Sequence, residues 1–234
     1  MYLDQYTGRG VRIAVIDSGV HAAHPHVNGV FDGFSIERDG SIGTDYVDRL
    51  GHGTAVAAAI REKAPDAELI AVRVFDRTLA TDVSTLVRAM DEALAHGAAL
   101  VNLSLGTADP IHTPAMEAIL ARAASRRCLV VAAVEDRGVR WLPGSLVQAI
   151  GVQLDWNCPR EAYRIVRTRD ERTVVASGYP RDIPNISRER NVKGISFAVA
   201  NASGFVARAL EASPGSGREE ILDTLQSASC REAL

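Results

Sequence analysis

This 234-residue chain has only three cysteines, and it lacks long apolar runs and a strong excess of one charge. The cysteines Cys128, Cys158 and Cys230 cannot all pair, and none lies in a CxxC or Cys/His spacing, so we expect free thiols in a reducing compartment. No apolar run approaches the roughly 18 residues that a membrane span needs. The net charge of −3 gives no electrostatic footprint for nucleic acid. We therefore expect neither a membrane nor a nucleic acid as partner.

The amino terminus also lacks a recognisable targeting signal. The opening residues, MYLDQYTGRG, contain no basic segment followed by an apolar one, as a secretory signal peptide would. This favours a cytoplasmic location. The hydrophobic fraction of 47% is ample for one core in a chain of this length, so a single domain over residues 1–234 is expected.

Short apolar runs alternate along the chain with longer stretches of helical period. The runs have little alternation of polar and apolar residues, which is typical of parallel strands covered on both faces; they are 11–19, 69–75, 100–106, 128–134 and 147–152. The predicted helices between them are 54–64, 82–97 and 113–126. The pattern predicts an α/β fold with three layers, in which a doubly wound, mainly parallel sheet carries helices on both faces. Residues 153–192, rich in Arg, Asp and turn residues, are expected to form hairpins and loops.

Three polar residues stand at the ends of these elements, where ligands bind in open parallel sheets. Asp17 ends the first strand, His52 lies between two glycines at the start of a helix, and Ser196 follows Gly194 at the start of a long apolar helix. Each has a simpler structural use, as a turn former, a capping or core histidine, or an N-cap. Together, Asp, His and Ser are the parts of a nucleophilic relay.

The segments that contain these residues are GVRIAVIDSGV, GHGTAVA and GISFAVANASG, in the chain order Asp, His, Ser. They resemble the three signature blocks of the subtilisin-like serine peptidases, the subtilases. Further matches to the connecting strands of that family are 64–76, 101–107 and 129–138. The resemblance covers roughly residues 7 to 229, so it extends over nearly the whole chain.

The resemblance implies a role for each residue that matches the motifs. Ser196 is the expected nucleophile and forms an acyl-enzyme, His52 is its base, and Asp17 holds and stabilises the imidazole. Ser104, Leu105 and Gly106 are expected to bind an extended peptide or protein substrate through its main chain. No cofactor is implied.

Two acids occupy the expected oxyanion hole and the specificity pocket. The family has Gly and Asn where this chain has Glu135 and Asp136. In the family, that Asn donates a hydrogen bond to the oxyanion of the tetrahedral intermediate. Asp136, with Ser196, is therefore expected in the oxyanion hole, where only a protonated carboxyl can donate. Glu135 is expected to line the pocket for the residue before the cleaved bond, which hints at a basic residue there. Ion pairing with Arg137 or Arg140 is the alternative.

The departures within the serine block remove no catalytic atom. Ile195 replaces the usual Thr of the serine block, and Ala200 and Asn201 replace the Pro and the residue after it. The stretch after the histidine block is short and lacks the loop that binds calcium in many secreted relatives. His26 stands where those relatives often have an Asp ligand, so no calcium requirement is expected.

A cluster of His21, His24 and His26 could suggest a transition-metal site. The sequence HPHV within it resembles the usual loop of the family at this point, so no metal site is expected. Secreted relatives are usually made as precursors, and no inhibitory pro-segment is recognisable before residue 7, so we expect an intracellular enzyme.

Two functions remain open at this stage. The first is a serine endopeptidase of restricted specificity that processes a particular peptide, such as the leader of a modified peptide product. The alternative is a catalytically weak or inactive subtilase-like domain that binds an extended peptide. The intact Asp17, His52 and Ser196 favour the enzyme, and Asp136 favours the alternative.

Overall fold

Within the residues that the structure describes, nine strands form one sheet. The computed structural model covers residues 3–168 and 171–229. The strands are β1 (Arg12–Asp17), β2 (Asp32–Ile36), β3 (Ile42–Gly43), β4 (Glu68–Arg73), β5 (Leu100–Leu103), β6 (Leu129–Ala133), the separate pair β7 (Glu135–Asp136) and β8 (Val139–Arg140), β9 (Ile150–Leu154), β10 (Tyr163–Arg167) and β11 (Arg172–Ala176). Their order is β10-β11-β9-β6-β5-β1-β4-β2-β3. The strands from β11 to β2 run parallel, and antiparallel pairs lie at the two edges.

Helices cover both faces of this sheet. They are α1 (His52–Lys63), α2 (Val83–Ala95), α3 (Thr113–Ser125), α4 (Ile195–Ala212) and α5 (Arg218–Ser229). Ile13 and Val15 of β1 pack in a core with α1, α4 and α5, whereas Ala14 and Ile16 pack in a core with α2 and α3. A strand buried on both faces needs apolar residues at successive positions, which explains the unbroken run in β1. The predicted three-layer, doubly wound α/β fold is confirmed.

The predicted strands and helices are present, mostly with shorter bounds. Helix α2 buries Leu86, Met90 and Leu94 of its predicted apolar stripe, and Asp82 caps it by accepting a hydrogen bond from the Thr85 N–H at 2.7 Å. Strand β2 was not predicted. A Cβ at Gly33 in this strand would lie 2.4 Å from the Tyr46 ring, so the packing of Tyr46 requires a glycine at this position. Because glycine is uncommon within strands, it obscured the strand pattern in the sequence.

The two acids that follow β6 lie in a tight hairpin. β7 and β8 pair with Glu135 opposite Arg140 and Asp136 opposite Val139. The linking residues, Arg137 and Gly138, have φ of 52° and 80°, and positive φ at both central positions is the mark of a type I′ turn. Because side chains alternate across a strand, Asp136 and Val139 share one face of the hairpin, and Glu135 and Arg140 share the other.

Both cysteines in the described part of the chain, Cys128 and Cys158, are buried free thiols. Burial raises the pKa of Cys128 to about 12 and also raises the pKa of Cys158, so neither forms a thiolate readily. Cys230 lies outside the described residues. None of the helices in the described ranges is long and apolar enough to cross a membrane. The single domain over residues 1–234 stays a prediction.

Candidate active site

Asp17 and His52 form a buried hydrogen-bonded pair. β1 ends at Asp17, whose side chain is completely buried, and Asp17 Oδ1 lies 2.7 Å from His52 Nδ1. The same oxygen accepts a hydrogen bond of 2.7 Å from the Ser18 N–H. Asp17 Oδ2 has no hydrogen-bond partner in residues 3–168 and 171–229. The carboxylate therefore orients the imidazole so that Nε2 is left for other partners.

Glycines on both sides of His52 allow the start of α1 to lie close to the end of β1, and so bring His52 to Asp17. Gly51 takes a φ of 81°, a left-handed conformation that favours glycine, and α1 begins at the next residue. A Cβ on Gly53 would lie 2.1 Å from the Gly19 carbonyl oxygen and 3.1 Å from Asp17 Cβ. Only glycine lets the start of α1 pack this closely against the end of β1.

A second carboxylate, Asp48, supports the histidine and was not predicted from the sequence. Its Oδ1 accepts hydrogen bonds from the Ser18 hydroxyl at 2.9 Å and the Gly51 N–H at 2.8 Å, and its Oδ2 accepts from the Thr54 N–H at 2.8 Å. Burial raises the pKa of Asp48, but these hydrogen bonds outweigh burial and hold the pKa below 3.8. An Asp shortly before a helix start is the sequence signal that could have identified it.

The electrostatics of the pair favour a charged imidazole. Burial lowers the pKa of His52, but the hydrogen bond to Asp17 and the charges of Asp17 and Asp48 outweigh burial and raise the pKa above 6.5. A raised pKa makes the neutral imidazole a stronger proton acceptor, which suits a general base.

Ser196 is the second residue of α4, and Gly194 before the helix has a φ of 152° that side chains rarely adopt. Ser196 Oγ donates a hydrogen bond of 3.4 Å to the Ser104 carbonyl. The Phe197 ring lies with its centroid 5.7 Å from that of His52, so the start of α4 contacts the histidine. No hydrogen bond joins Ser196 to His52 in the portion of the chain that is described. Catalytic hydrogen bonds often form only when substrate is bound, so a relay between Ser196 and His52 is compatible with the absence of a hydrogen bond between them here.

A chain of buried polar groups extends from Ser196 into the core. Ser104 Oγ donates to the Ser196 carbonyl at 3.2 Å and accepts from Asn102 Nδ2 at 3.1 Å. Ser203 Oγ, further along α4, donates to Asn102 Oδ1 at 2.9 Å. Sequence reasoning missed Asn102 and Ser203, although a polar residue within the apolar run of β5 was a usable signal.

Three of the four predicted substrate-binding residues, Ser104, Leu105 and Gly106, line one small cavity of about 110 Å³. Its lining residues are Ser104, Leu105, Gly106, Ala133, Asp136, Trp141, Ile195, Ser196 and Val199. The exposed Glu135 does not line it and lies instead at a neighbouring cavity with Gln153, Leu154 and Trp156, to which Asp136 also contributes. The structure thus brings Asp136 to Ser196 and places Glu135 on the other face of the hairpin.

Neither acid has the arginine partner that was considered for it. In the described ranges, no ion pair joins Glu135 or Asp136 to Arg137 or Arg140, and Arg140 Nη2 lies 3.8 Å from Glu171 Oε1 instead. The Asp136 side chain, which is half-buried, makes no hydrogen bond to any described residue.

The histidine cluster lines a separate cavity of about 440 Å³ beside Asp48 and Gly51. His24 and His26 pack edge to face with centroids 5.2 Å apart, and the His26 N–H donates to His24 Nδ1 at 3.2 Å. Among the residues described, no group of three or more His, Cys, Asp and Glu side chains is placed to hold a metal ion. The absence of a metal requirement stays a prediction.

Comparison with solved structures supports the fold. A lanthipeptide protease superimposes with a TM-score of 0.72 over 94% of this chain and 80% of that chain, at 19% sequence identity. At this identity the likeness shows the fold alone.

Sequence comparison identifies the family. Subtilisin E of Bacillus subtilis (strain 168) is 33% identical over 142 residues, which are 57% of this chain and 36% of that protein. The subtilisin-like protease SBT6.1 of Arabidopsis thaliana is 28% identical over 98% of this chain and 24% of its own length. The chain thus spans well under two thirds of these relatives. The pattern of the subtilase family, peptidase S8, matches residues 8–233. The chain therefore belongs to the subtilase family.

Proposed function

We propose that the chain is a serine endopeptidase of restricted specificity that acts through Asp17, His52 and Ser196. The observation that carries this proposal is the 2.7 Å contact between Asp17 Oδ1 and His52 Nδ1, made next to the segment that contains Ser196. A buried carboxylate bound to one imidazole nitrogen fixes the tautomer that presents the other nitrogen as a base. Family membership agrees with peptide or protein as the substrate class.

The reaction has two halves. Ser196 Oγ attacks the substrate carbonyl carbon while its proton passes to His52 Nε2, and the tetrahedral intermediate then expels the amine, which takes that proton as the C–N bond breaks. Water next attacks the resulting ester and gives a proton to His52 Nε2. Collapse of the second intermediate breaks the ester bond, returns the proton to Ser196 Oγ and releases the carboxylic product.

The segment Ser104–Gly106 has the geometry to bind an extended substrate. In the part of the chain that the structure describes, no backbone hydrogen bond to another backbone group engages Leu105 or Gly106. Thr107 is already paired, because its N–H donates to the Leu142 carbonyl at 3.0 Å and its carbonyl accepts from the Leu142 N–H at 2.8 Å. A substrate strand can therefore pair with residues 105 and 106, and its register is limited at residue 107.

The oxyanion hole is the least complete part of the proposed active site. The N–H of Ser196 lies at the start of α4, where the helix dipole favours negative charge, and is the expected donor. Asp136 stands where a second donor is expected, and it can donate only when protonated. Slow turnover with a restricted set of substrates fits such a site.

A non-catalytic, peptide-binding role is the second candidate. It is favoured by Asp136 and by the direction of the Ser196 hydroxyl, which donates to the Ser104 carbonyl and not to His52. Such a protein would bind the same extended peptide along Leu105 and Gly106 without cutting it.

A fluorophosphonate probe separates the two candidates, because covalent labelling needs an activated serine. We expect labelling of the unmodified protein at Ser196, loss of labelling in Ser196→Ala, and full labelling in the matched control Ser125→Ala, which alters an exposed serine of α3. A peptide library read by mass spectrometry should show cuts that are absent with Ser196→Ala. Absence of both labelling and cuts in the unmodified protein would favour the peptide-binding role. Processing of a leader peptide in particular stays a prediction.

A further inference from the structure

The cavity beside Ser196 has the size of a site for one side chain. Its volume is about 110 Å³, whereas sites for drug-sized ligands have roughly 300–1,000 Å³. Ser104, Leu105 and Gly106 line it together with Ser196. A peptide that pairs with Leu105 and Gly106 and presents its carbonyl to Ser196 therefore places the side chain before the cleaved bond in this cavity.

The chemistry of the cavity wall is uneven. Most of it is apolar, from Leu105, Ala133, Ile195 and Val199, together with the ring of Trp141. Among the lining residues that the structure describes, Asp136 alone has an ionisable side chain. The wall thus combines an apolar stem region with one acid and one aromatic ring.

Asp136 and Trp141 come together through the hairpin. Asp136 is paired with Val139, and Trp141 is two residues beyond Val139, so the alternation of side chains brings all three to the same face. The Trp141 N–H donates to the Val134 carbonyl at 2.9 Å, which holds this residue against the end of β6. A carboxylate next to an indole ring is a suitable arrangement for a cation, because both attract positive charge.

The Asp136 carboxylate lacks a partner within the protein. No side chain in residues 3–168 and 171–229 forms an ion pair or hydrogen bond with it. A half-buried carboxylate without a partner is costly among apolar side chains, and a cationic group brought by a ligand would remove that cost.

We propose that this cavity selects a Lys or Arg side chain immediately before the cleaved bond, an inference that rests on the proposed peptidase function. The aliphatic stem packs against Val199, Ala133 and Leu105, and the charged head meets the Asp136 carboxylate and the Trp141 ring. The assignment moves the basic preference from Glu135 to Asp136. It also requires Asp136 to be ionised, whereas donation to the oxyanion requires it to be protonated, so the two roles of Asp136 exclude each other.

The test compares kcat/KM for four peptides that differ only before the cleaved bond: Lys, Arg, norleucine and Glu. Norleucine keeps most of the lysine stem and removes its charge. We expect the unmodified protein to prefer Lys and Arg over norleucine by about tenfold or more, the scale of one charge-assisted hydrogen bond. Asp136→Asn, which has nearly the same size, should bring that ratio close to one.

Two further carboxylates serve as comparisons. Glu117→Gln removes an exposed charge from α3 and should leave the ratio as it is. Glu135→Gln removes the neighbouring acid on the opposite face of the hairpin, and should also leave the ratio unchanged. Loss of the preference in Glu135→Gln instead of Asp136→Asn would overturn the proposal. So would a rise in turnover by the same factor for all four peptides in Asp136→Asn, because that result places Asp136 at the oxyanion.

Binding to Ser196→Ala keeps the proposal testable without turnover. This variant should bind the Lys peptide about tenfold more tightly than the norleucine peptide, and adding Asp136→Asn should abolish the difference. Labelling by the fluorophosphonate without any basic preference would reject the specificity and leave the peptidase function standing. Basic-selective binding without labelling would reject the peptidase and keep the specificity. Equal binding of both peptides to Ser196→Ala would overturn the proposed preference.

Discussion

Ser203 Oγ donates a hydrogen bond of 2.9 Å to Asn102 Oδ1, and both side chains are completely buried. Asn102 in turn donates to Ser104 Oγ, which donates to the Ser196 carbonyl. Asn102 of β5 and Ser203 of α4 therefore belong to one hydrogen-bond network that ends at the Ser196 carbonyl. This network holds α4 against β5, and with it the position of the Ser196 hydroxyl.

Ser203→Ala should loosen this network. We expect the free energy of unfolding to fall by about 1–3 kcal/mol, because Asn102 Oδ1 loses its hydrogen bond in a buried site. We also expect kcat to fall by about two- to tenfold. A shift of the Ser196 hydroxyl by about 1 Å would cost about a hundredfold in rate, and the shift expected here is smaller. KM should change little because Leu105 and Gly106 are untouched. Denaturant unfolding and steady-state kinetics measure these effects, and a purely structural role would leave kcat unchanged.

The pH profile of kcat/KM should report the state of His52. In the proposed mechanism the neutral imidazole is the base, so we expect activity to be lost as pH falls through the pKa of His52, which is raised above the ordinary histidine value. Asp48→Asn removes a charge that raises the pKa of His52, so the acid limb should move to lower pH. Glu117→Gln is the control and should leave the limb in place. An unchanged limb in Asp48→Asn would show that this carboxylate has no influence on the base.

Gly53→Ala should damage both stability and activity. The added Cβ would lie 2.1 Å from the Gly19 carbonyl oxygen, so α1 must move away from β1 and carry His52 from Asp17. Overpacking of this kind costs about 1–3 kcal/mol or more. Gly217→Ala is the matched control, because its Cβ would meet no atom within 4 Å. Thermal melting and peptide cleavage measure the outcome, and equal behaviour of the two variants would contradict the close packing.

Chelation of calcium should leave the protein nearly unaffected. The stretch between His52 and β4 contains only α1 and a short turn, and the sequence predicts no calcium-binding loop there. We expect EDTA to leave the melting temperature and the rate of peptide cleavage nearly unchanged. A large fall in melting temperature that added calcium reverses would refute this expectation.

The sequence was informative wherever a residue ends a strongly patterned element. The unbroken apolar run of β1 predicts a strand buried on both faces, and the rule for strand ends then brings Asp17, His52 and Ser196 to the same edge of the sheet. The blocks around them predict the family that the comparisons show. These inferences depend on local pattern and on a general property of parallel sheets.

Contacts between distant segments were beyond sequence reasoning. Asp48 has the local signal of an acid before a helix start, but its hydrogen bond from Ser18, 30 residues away, could not be predicted. The different surroundings of Glu135 and Asp136 follow from the turn at Arg137, a residue with a side chain in the left-handed region, where such residues are uncommon. A turn of this type is normally recognised by Asn-Gly or Asp-Gly, so Arg-Gly concealed it.

The β7–β8 hairpin and Trp141 make up a compact module, residues 135–141, inserted after a strand of the central sheet. Its shape is set by its own two-residue turn, and its two strands pair with each other and not with the nine-stranded sheet of the described residues. The three residues proposed as the relay, Asp17, His52 and Ser196, by contrast come from segments far apart along the chain and depend on the whole fold. We therefore expect that exchanging residues 135–141 alters the part of the cavity wall that Asp136 and Trp141 form, while the contact between Asp17 and His52 is kept.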